Sequence, residues 1–171
     1  MIEIDVRDLV GHPGQSRAVR VDEPVEGLNI GLAAVPEDAP VEAELLLESV
    51  IEGILVSGPV RGSMRLSCAR CLKTFDRPFD VSVHELFISD RSDNGDGDEY
   101  PLATDGAMDI EPMVRDAVML SMPFSPLCRP DCRGLCERCG GDRNLDECTC
   151  GPAPADPRWE ALGGIRFDDE I

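Results

Sequence analysis

Val41-Glu42-Ala43-Glu44-Leu45-Leu46-Leu47-Glu48 decides the fold class. Val41, Ala43, Leu45 and Leu47 alternate with Glu42, Glu44 and Glu48, and a period of two marks a strand with one buried and one wet face. Leu46 breaks the alternation and puts an apolar side chain on the wet face. Working outward, 54–56, 60–66 and 79–88 read as further strands of an antiparallel meander. Gly53 and the Gly58-Pro59 pair punctuate it, and Pro59, which cannot donate to a ladder, suits a bulge or an edge. On the N-terminal side, 2–6, 18–21 and 28–30 add shorter strands, interrupted by Gly14, Pro24 and Gly27.

Residues 89–108 change character: Asp90, Asp93, Asp96, Asp98, Glu99 and Asp105 stand among Ser, Asn and Gly, the composition of a solvated loop. Asp90, Ser92, Asn94 and Gly95 match the start of a calcium-binding EF-hand loop, but the twelfth position is Pro101 instead of a bidentate acid. The spacing then predicts a helix over 109–123. Ile110, Met113, Val114, Ala117, Met119 and Leu120 form its apolar stripe, Asp109 its N-cap, Pro112 its first turn and Pro123 its stop. The methionines read as core filler on a helix lying across the sheet.

Whole-chain numbers bound the partners. With 171 residues and 42 % hydrophobic content, the chain fits one domain with appendages. Sixteen Lys and Arg against 34 Asp and Glu give a formal charge of -18, which repels bulk phosphate and anionic membranes. RNA contact therefore needs a local basic patch or a basic partner. Glu3 and Asp5 open the chain, and no apolar run near the ~20 residues of a membrane span follows, so neither signal peptide nor anchor is expected and the expected compartment is the cytoplasm.

In that reducing compartment eight cysteines point to metal thiolates more than to disulfides. They fall as Cys68-x2-Cys71 and Cys128-x3-Cys132-x3-Cys136-x2-Cys139-x8-Cys148-x-Cys150. Zinc takes four thiolates at tetrahedral corners, and one tight turn between two cysteines supplies an edge. Gly140, just after Cys139, suits a turn that needs positive φ. Eight thiolates make two Zn2+ sites. The preferred grouping joins Cys136, Cys139, Cys148 and Cys150 locally, and Cys68 and Cys71 with Cys128 and Cys132, because a tail poor in large apolar residues needs metal to order it. The other grouping puts Cys128, Cys132, Cys136 and Cys139 together, with Cys68 and Cys71 joining the last pair. Sites filled by four thiolates leave no place for water and read as structural. An iron–sulfur cluster takes the same ligands, and a redox Cys-x-x-Cys would need a βαβ setting.

Catalytic patterns are thin: no nucleophile elbow, phosphate loop or dinucleotide fingerprint occurs, and His12 and His84 stand in unrelated contexts. One charge reversal occurs, where Arg61, Arg65, Arg70, Lys73 and Arg77 meet only Asp76. These five are candidate RNA-contacting residues; the alternative is that they line the wet face of the sheet and balance nearby acids or thiolates.

The order of Cys68-Ala69-Arg70-Cys71-Leu72 after a β segment, a helix ending near Met122-Pro123, Cys128-x3-Cys132-Arg133-Gly134-Leu135-Cys136-x2-Cys139-Gly140, Asn144-Leu145, Cys148-x-Cys150 and Asp156-Pro157-Arg158 resembles the YceD family of bacterial and plastid proteins. The resemblance spans essentially the whole chain. It implies an accumulation factor for the RNA of the large ribosomal subunit, often encoded beside a small zinc-binding protein of that subunit, and it supplies no catalytic residues.

The expected architecture is α+β: an antiparallel β-sheet or partial barrel with one packed helix and a C-terminal zinc-stapled segment. Its parts are a β-rich core over 1–88, an acidic loop over 89–108, a helix over 109–123, a cysteine-rich metal-binding segment over 124–151 and a tail with a short helical turn over 152–171. The expected role is a non-enzymatic ribosome biogenesis factor supporting 23S rRNA accumulation and large-subunit assembly. It would contact either the large-subunit rRNA precursor or a basic large-subunit ribosomal protein, with no membrane and no small-molecule substrate. A cytosolic thiol redox or zinc-storage protein is the alternative.

Overall fold

The computed structural model describes residues 1–88, 100–102, 106–145, 148–151, 156, 158–159 and 162. In chain order the elements are β1 (Glu3–Asp5), β2 (Ser16–Pro24), β3 (Asn29–Ile30), β4 (Ala33–Ala34), β5 (Pro40–Ser49), β6 (Gly53–Ser67), β7 (Thr74–Ile88), β8 (Tyr100–Pro101), β9 (Ala107–Asp109) and α1 (Glu111–Ser121). Among the described residues this is a mostly antiparallel sheet with one helix.

Strand β5 alternates as its sequence dictates: Val41, Ala43, Leu45 and Leu47 are buried, while Glu42, Glu44, Leu46 and Glu48 face solvent. Each fully buried Val or Leu of this face contributes about 1.5–3 kcal/mol of burial free energy. Strand β6 is the spine. It pairs with β7 in an antiparallel hairpin whose register runs unbroken from Gly53↔Ile88 to Ser67↔Thr74. The other edge of β6 is shared, with β5 alongside residues 54–61 and β4 alongside 65–66. Strand β2 pairs outside β5, and β8 pairs with β7 in parallel.

Residues 54–66, read as two strands parted at Gly58-Pro59, are one continuous strand, and the register carries no bulge. The β5 ladder instead omits Glu44 and Leu45, which stand opposite Pro59 and Gly58. The missing donor of Pro59 thus falls where the ladder is already interrupted. Gly58 has φ of 148°, and a Cβ there would stand 2.1 Å from the Glu44 carbonyl oxygen.

The span expected as a loop over 89–108 contains two short strands, β8 and part of β9. Strand β9 pairs with β1 through Ile4↔Met108, both buried, in a separate two-stranded sheet. The run 90–95 considered for calcium lies outside the described residues. The helix starts later than expected: its N-cap is Ile110, because Asp109 is committed to β9 opposite Glu3. The Asp109 carboxylate still serves the helix end, accepting the Glu111 N–H at 3.0 Å and the Ile2 N–H at 3.1 Å. Helix α1 packs on β7 and buries Met113, Val114 and Val118, whereas Leu120, expected in the stripe, is 87 % exposed. Of the expected tail over 152–171, only 156, 158–159 and 162 are described; there the Trp159 N–H donates to the Asp156 carbonyl at 2.9 Å.

Candidate metal centres and the cationic face

The β6–β7 hairpin closes through a turn that carries the first two cysteines. The Cys68 N–H donates to the Lys73 carbonyl, and the Leu72 N–H donates to the Cys68 carbonyl, both at 2.9 Å. Leu72 holds φ of 60°, the left-handed region that glycine adopts without cost. Cys136–Gly140 repeats this turn: the Gly140 N–H donates to the Cys136 carbonyl at 2.8 Å, with φ of 69° at Gly140. The glycine signals the second turn in the sequence. The leucine hides the first.

Beyond α1 the chain returns to the hairpin tip. The Ala69 N–H donates to the Pro126 carbonyl at 2.8 Å, the Leu135 N–H to the Arg70 carbonyl at 3.1 Å, and the Arg70 guanidinium to the Cys132 carbonyl at 2.9 Å. These bonds carry Cys128 and Cys132 onto the tip. The Sγ atoms of Cys68 and Cys132 lie 3.7 Å apart, as do those of Cys71 and Cys128. Cys136, Cys139, Cys148 and Cys150 gather separately, with Sγ separations of 3.6 Å for Cys139–Cys148 and 3.3 Å for Cys148–Cys136. Within each group of four, every Sγ lies within 4.8 Å of the others.

A disulfide needs sulfurs at about 2.05 Å, so these are free thiols. Four ligands at about 2.3 Å around one tetrahedral ion stand about 3.8 Å apart, which the observed spacings approach. Each group could hold one metal ion. Their surroundings differ. Cys68, Cys71 and Cys132 are buried in a small cluster of their own with Phe75, Leu127 and Leu135, whereas Cys139 is exposed and its three companions half-buried.

Within each group the thiols differ in how readily they ionise. Burial raises the Cys68 thiol, but backbone groups of Cys128, Cys71 and Arg70 outweigh it and bring it down to about 6. Burial, then the neighbouring Cys71, Cys132 and Cys68, push Cys128 up to about 12. The second group repeats the contrast: backbone donors of Cys139 and Arg138 lower Cys136 to about 6, while Cys148 and Cys139 push Cys150 up to about 12. One thiolate in a group makes the next one unfavourable. A divalent ion at the centre removes that repulsion and lets all four ionise.

Asn144 joins the two groups. Its Oδ1 accepts the Arg133 N–H and an Arg129 guanidinium N–H, each at 2.8 Å. Its Nδ2 donates to Asp142 Oδ1 at 2.5 Å and, from the loop of the second group, to the Cys132 sulfur of the first at 3.5 Å. Asp142 is held below the usual carboxylate range, first by the Asn144 N–H and side chain, then by the charges of Arg129 and Lys73. The Arg143 N–H donates to the Gly134 carbonyl at 3.0 Å, closing the loop onto the segment that touches Arg70.

The five cations singled out in the sequence do not form one face. Arg61 and Arg65 share the wet side of β6; Arg61 bonds Asp80 at 2.9 Å and Glu44 at 3.2 Å, and Arg65 bonds Asp76 at 3.1 Å. Arg77 stands opposite Met64, on the other side of the pleat, with its guanidinium 5.6 Å from the Phe75 ring centroid. Arg70 and Lys73 sit at the tip. Counting charges along 61–77 missed Glu44, which a neighbouring strand supplies, and Asp80, which pairs across the hairpin. It also missed Arg129, Arg133, Arg138 and Arg143, all exposed on the cysteine-rich segment.

The profile of the family described as "Large ribosomal RNA subunit accumulation protein YceD" matches residues 56–166. An uncharacterized protein of Mycobacterium tuberculosis is 35 % identical over 164 residues, covering 93 % of this chain and 78 % of its own. The uncharacterized YlbN of Bacillus subtilis is 30 % identical, covering 65 % of this chain and 66 % of its own. A chloroplastic Arabidopsis thaliana protein, named as a large ribosomal RNA subunit accumulation protein and YCED homolog, is 23 % identical over 77 % of this chain and 50 % of its own. No solved structure matches the chain.

Proposed function

The chain belongs to the YceD family, and from that membership we propose that it supports accumulation of large-subunit ribosomal RNA as a non-catalytic assembly factor whose tail is held by two zinc ions. Cys68, Cys71, Cys128 and Cys132 would hold one ion; Cys136, Cys139, Cys148 and Cys150 would hold the other. Zinc suits four thiolates close enough to share one ion, whereas the thiolates of a multi-iron cluster bind different irons and need wider spacing. With four protein ligands each, the ions would hold backbone in place and leave no position for a reacting water.

The observation that carries this reading is the convergence of cysteines from a hairpin tip and from a segment beyond the helix, 57 and 64 residues apart in sequence. Such a module presents a fixed surface. Each filled site is a dianion, so metal makes an acidic chain more acidic. No described helix is long and apolar enough to cross a membrane; a place in the compartment that holds the ribosomal precursor, the cytoplasm of a bacterium, belongs to the same proposal.

A second partner is favoured by one observation, the formal charge of -18: a basic large-subunit ribosomal protein shielded before delivery. Sedimentation of the tagged protein from lysate, with and without ribonuclease, tests the proposal. Co-migration with large-subunit precursors that ribonuclease abolishes supports it. A protein that stays at the top of the gradient, with large-subunit RNA unchanged on its depletion, overturns it.

A further inference from the structure

The cations of this chain fall into two populations. Arg7, Arg17, Arg20, Arg61, Arg65, Arg115 and Arg158 each meet a carboxylate within 4.0 Å. All lie on or beside the strands, the helix or the terminal tail. Arg70, Lys73, Arg77, Arg133, Arg138 and Arg143 are exposed with no carboxylate partner among the described residues. All but Arg77, which stands on β7, belong to the two cysteine turns or the segments beside them, where Arg129 alone is paired, with Asp131.

The backbone that carries these cations is also tied together. The Leu135 N–H on the Arg70 carbonyl, the Arg143 N–H on the Gly134 carbonyl, and Asn144 gripping both Arg129 and Arg133 bring Arg70, Arg129, Arg133 and Arg143 onto one hydrogen-bonded frame. Lys73 joins the frame at the hairpin tip, where its carbonyl accepts the Cys68 N–H at 2.9 Å. The acids of the frame are Asp131, which meets Arg129 at 3.5 Å, and Asp142, whose carboxylate is occupied by Asn144. Five cations therefore stand on a frame with two carboxylates that are already engaged, and each centre, once filled, adds a dianion behind them.

We infer that Arg70, Lys73, Arg129, Arg133 and Arg143, where the β6–β7 tip meets the cysteine-rich segment, form a docking surface for the phosphate backbone of RNA. This rests on the large-subunit RNA reading and names the surface. Guanidinium groups carried on a hydrogen-bonded frame match phosphate geometry in pairs. The acidic strands around them repel non-cognate backbone, so binding is confined to this face. Arg61, Arg65 and Arg77 lie outside it.

The test compares the metal-loaded full chain with Lys73→Gln/Arg133→Gln/Arg143→Gln and with Arg61→Gln/Arg65→Gln, binding a transcript of large-subunit rRNA across a salt series. Each lost phosphate contact flattens the log–log salt slope by about 0.7–0.9, so the triple variant loses about 2 from the slope and about tenfold or more in affinity. The strand pair changes neither. Arg133→Lys/Arg143→Lys, which keeps the charge, retains the parental slope. The inference is overturned if the triple variant binds as the parent does, if the strand pair loses as much, or if both the triple and the charge-keeping variants lose metal, because the arginines then serve the thiolates. A parent that fails to bind the transcript yet sediments with large-subunit particles overturns this surface and leaves the assembly reading standing; one that binds a basic ribosomal protein instead assigns the partner to the acidic face.

Discussion

Replacing Asn144 by alanine isolates the network that joins the two cysteine groups. The side chain makes four bonds: two to Oδ1 at 2.8 Å, one to Asp142 at 2.5 Å and one to the Cys132 sulfur at 3.5 Å. Both bonds to Oδ1 are exposed; the one that ties down the long Arg129 side chain counts for little, as does that to the sulfur, a weak acceptor, whereas the Arg133 donor is backbone already held in its turn. The bonds to the Arg133 N–H and to the Asp142 carboxylate contribute about 1 kcal/mol each, or about 2 kcal/mol together. At about 1.4 kcal/mol per factor of ten, zinc affinity should fall about 30-fold, within the range seen when groups that orient metal ligands are removed. Because Asn144 stands in the loop of the second group and braces Arg133, next to the first group's Cys132, both ions should bind less tightly. Competition of the zinc-loaded protein against a coloured chelator measures this. Parental affinity at both sites in Asn144→Ala would refute the reasoning, since the network would then be ornamental to the metal.

Four further outcomes follow from particular residues. Gly58→Ala drives a Cβ to 2.1 Å from the Glu44 carbonyl oxygen and should cost about 3 kcal/mol or more in denaturant unfolding; an unshifted midpoint would mean β5 and β6 do not approach there. Gly140→Ala meets nothing within 4 Å and has φ of 69°, so its cost is conformational, about 1 kcal/mol, clearly below that of Gly58→Ala. Stripping the metal should expose 124–151 to trypsin at Arg133, Arg138 and Arg143, while the fragment bearing the β1–β7 core persists; uniform digestion would show that metal holds the whole fold. The Asp5 carboxyl is held at about 2, first by the Arg7 side chain and then by its N–H. A depressed folded-state value gives stability that is present above about 4 and lost as pH falls toward 2. Asp5→Asn should remove that part of the acid-unfolding slope, and identical slopes would show that the pair contributes nothing.

What the sequence discloses is set by how local each cause is. The alternation of 41–48 fixes the buried side of β5, and the stray Leu46 does sit on its wet side, because a strand's two faces depend on parity alone. The continuity of β6 through Gly58-Pro59 is not legible, since a proline breaks a ladder only if a partner needs its donor, and that partner lies in another strand. Strand β9 hides for the same reason: Ala107–Asp109 becomes a strand only beside Glu3–Asp5, over a hundred residues away. Tail ordering led to the cysteine grouping that the geometry brings together. Of the cationic surface proposed above, Arg70 and Lys73 stand out in the sequence. A run of positive residues along one strand takes no account of carboxylates on its neighbours, and Arg133 and Arg143 meet the tip only through the folded tail.

The first metal group is assembled from parts made at different times. Cys68 and Cys71 leave the ribosome just ahead of β7, the strand that closes their hairpin, and Cys128 follows 57 residues after Cys71. At about 5–20 residues per second, that interval is about 3 to 11 seconds. Once β7 has been made and paired with β6, the nascent chain displays two adjacent thiols on an ordered turn, half of the group of four. A chain truncated before residue 128 remains in that state. Synthesis order thus makes the join between hairpin and tail a late checkpoint: an intact first centre certifies that the helix and the segment after it have been made and brought back to the sheet.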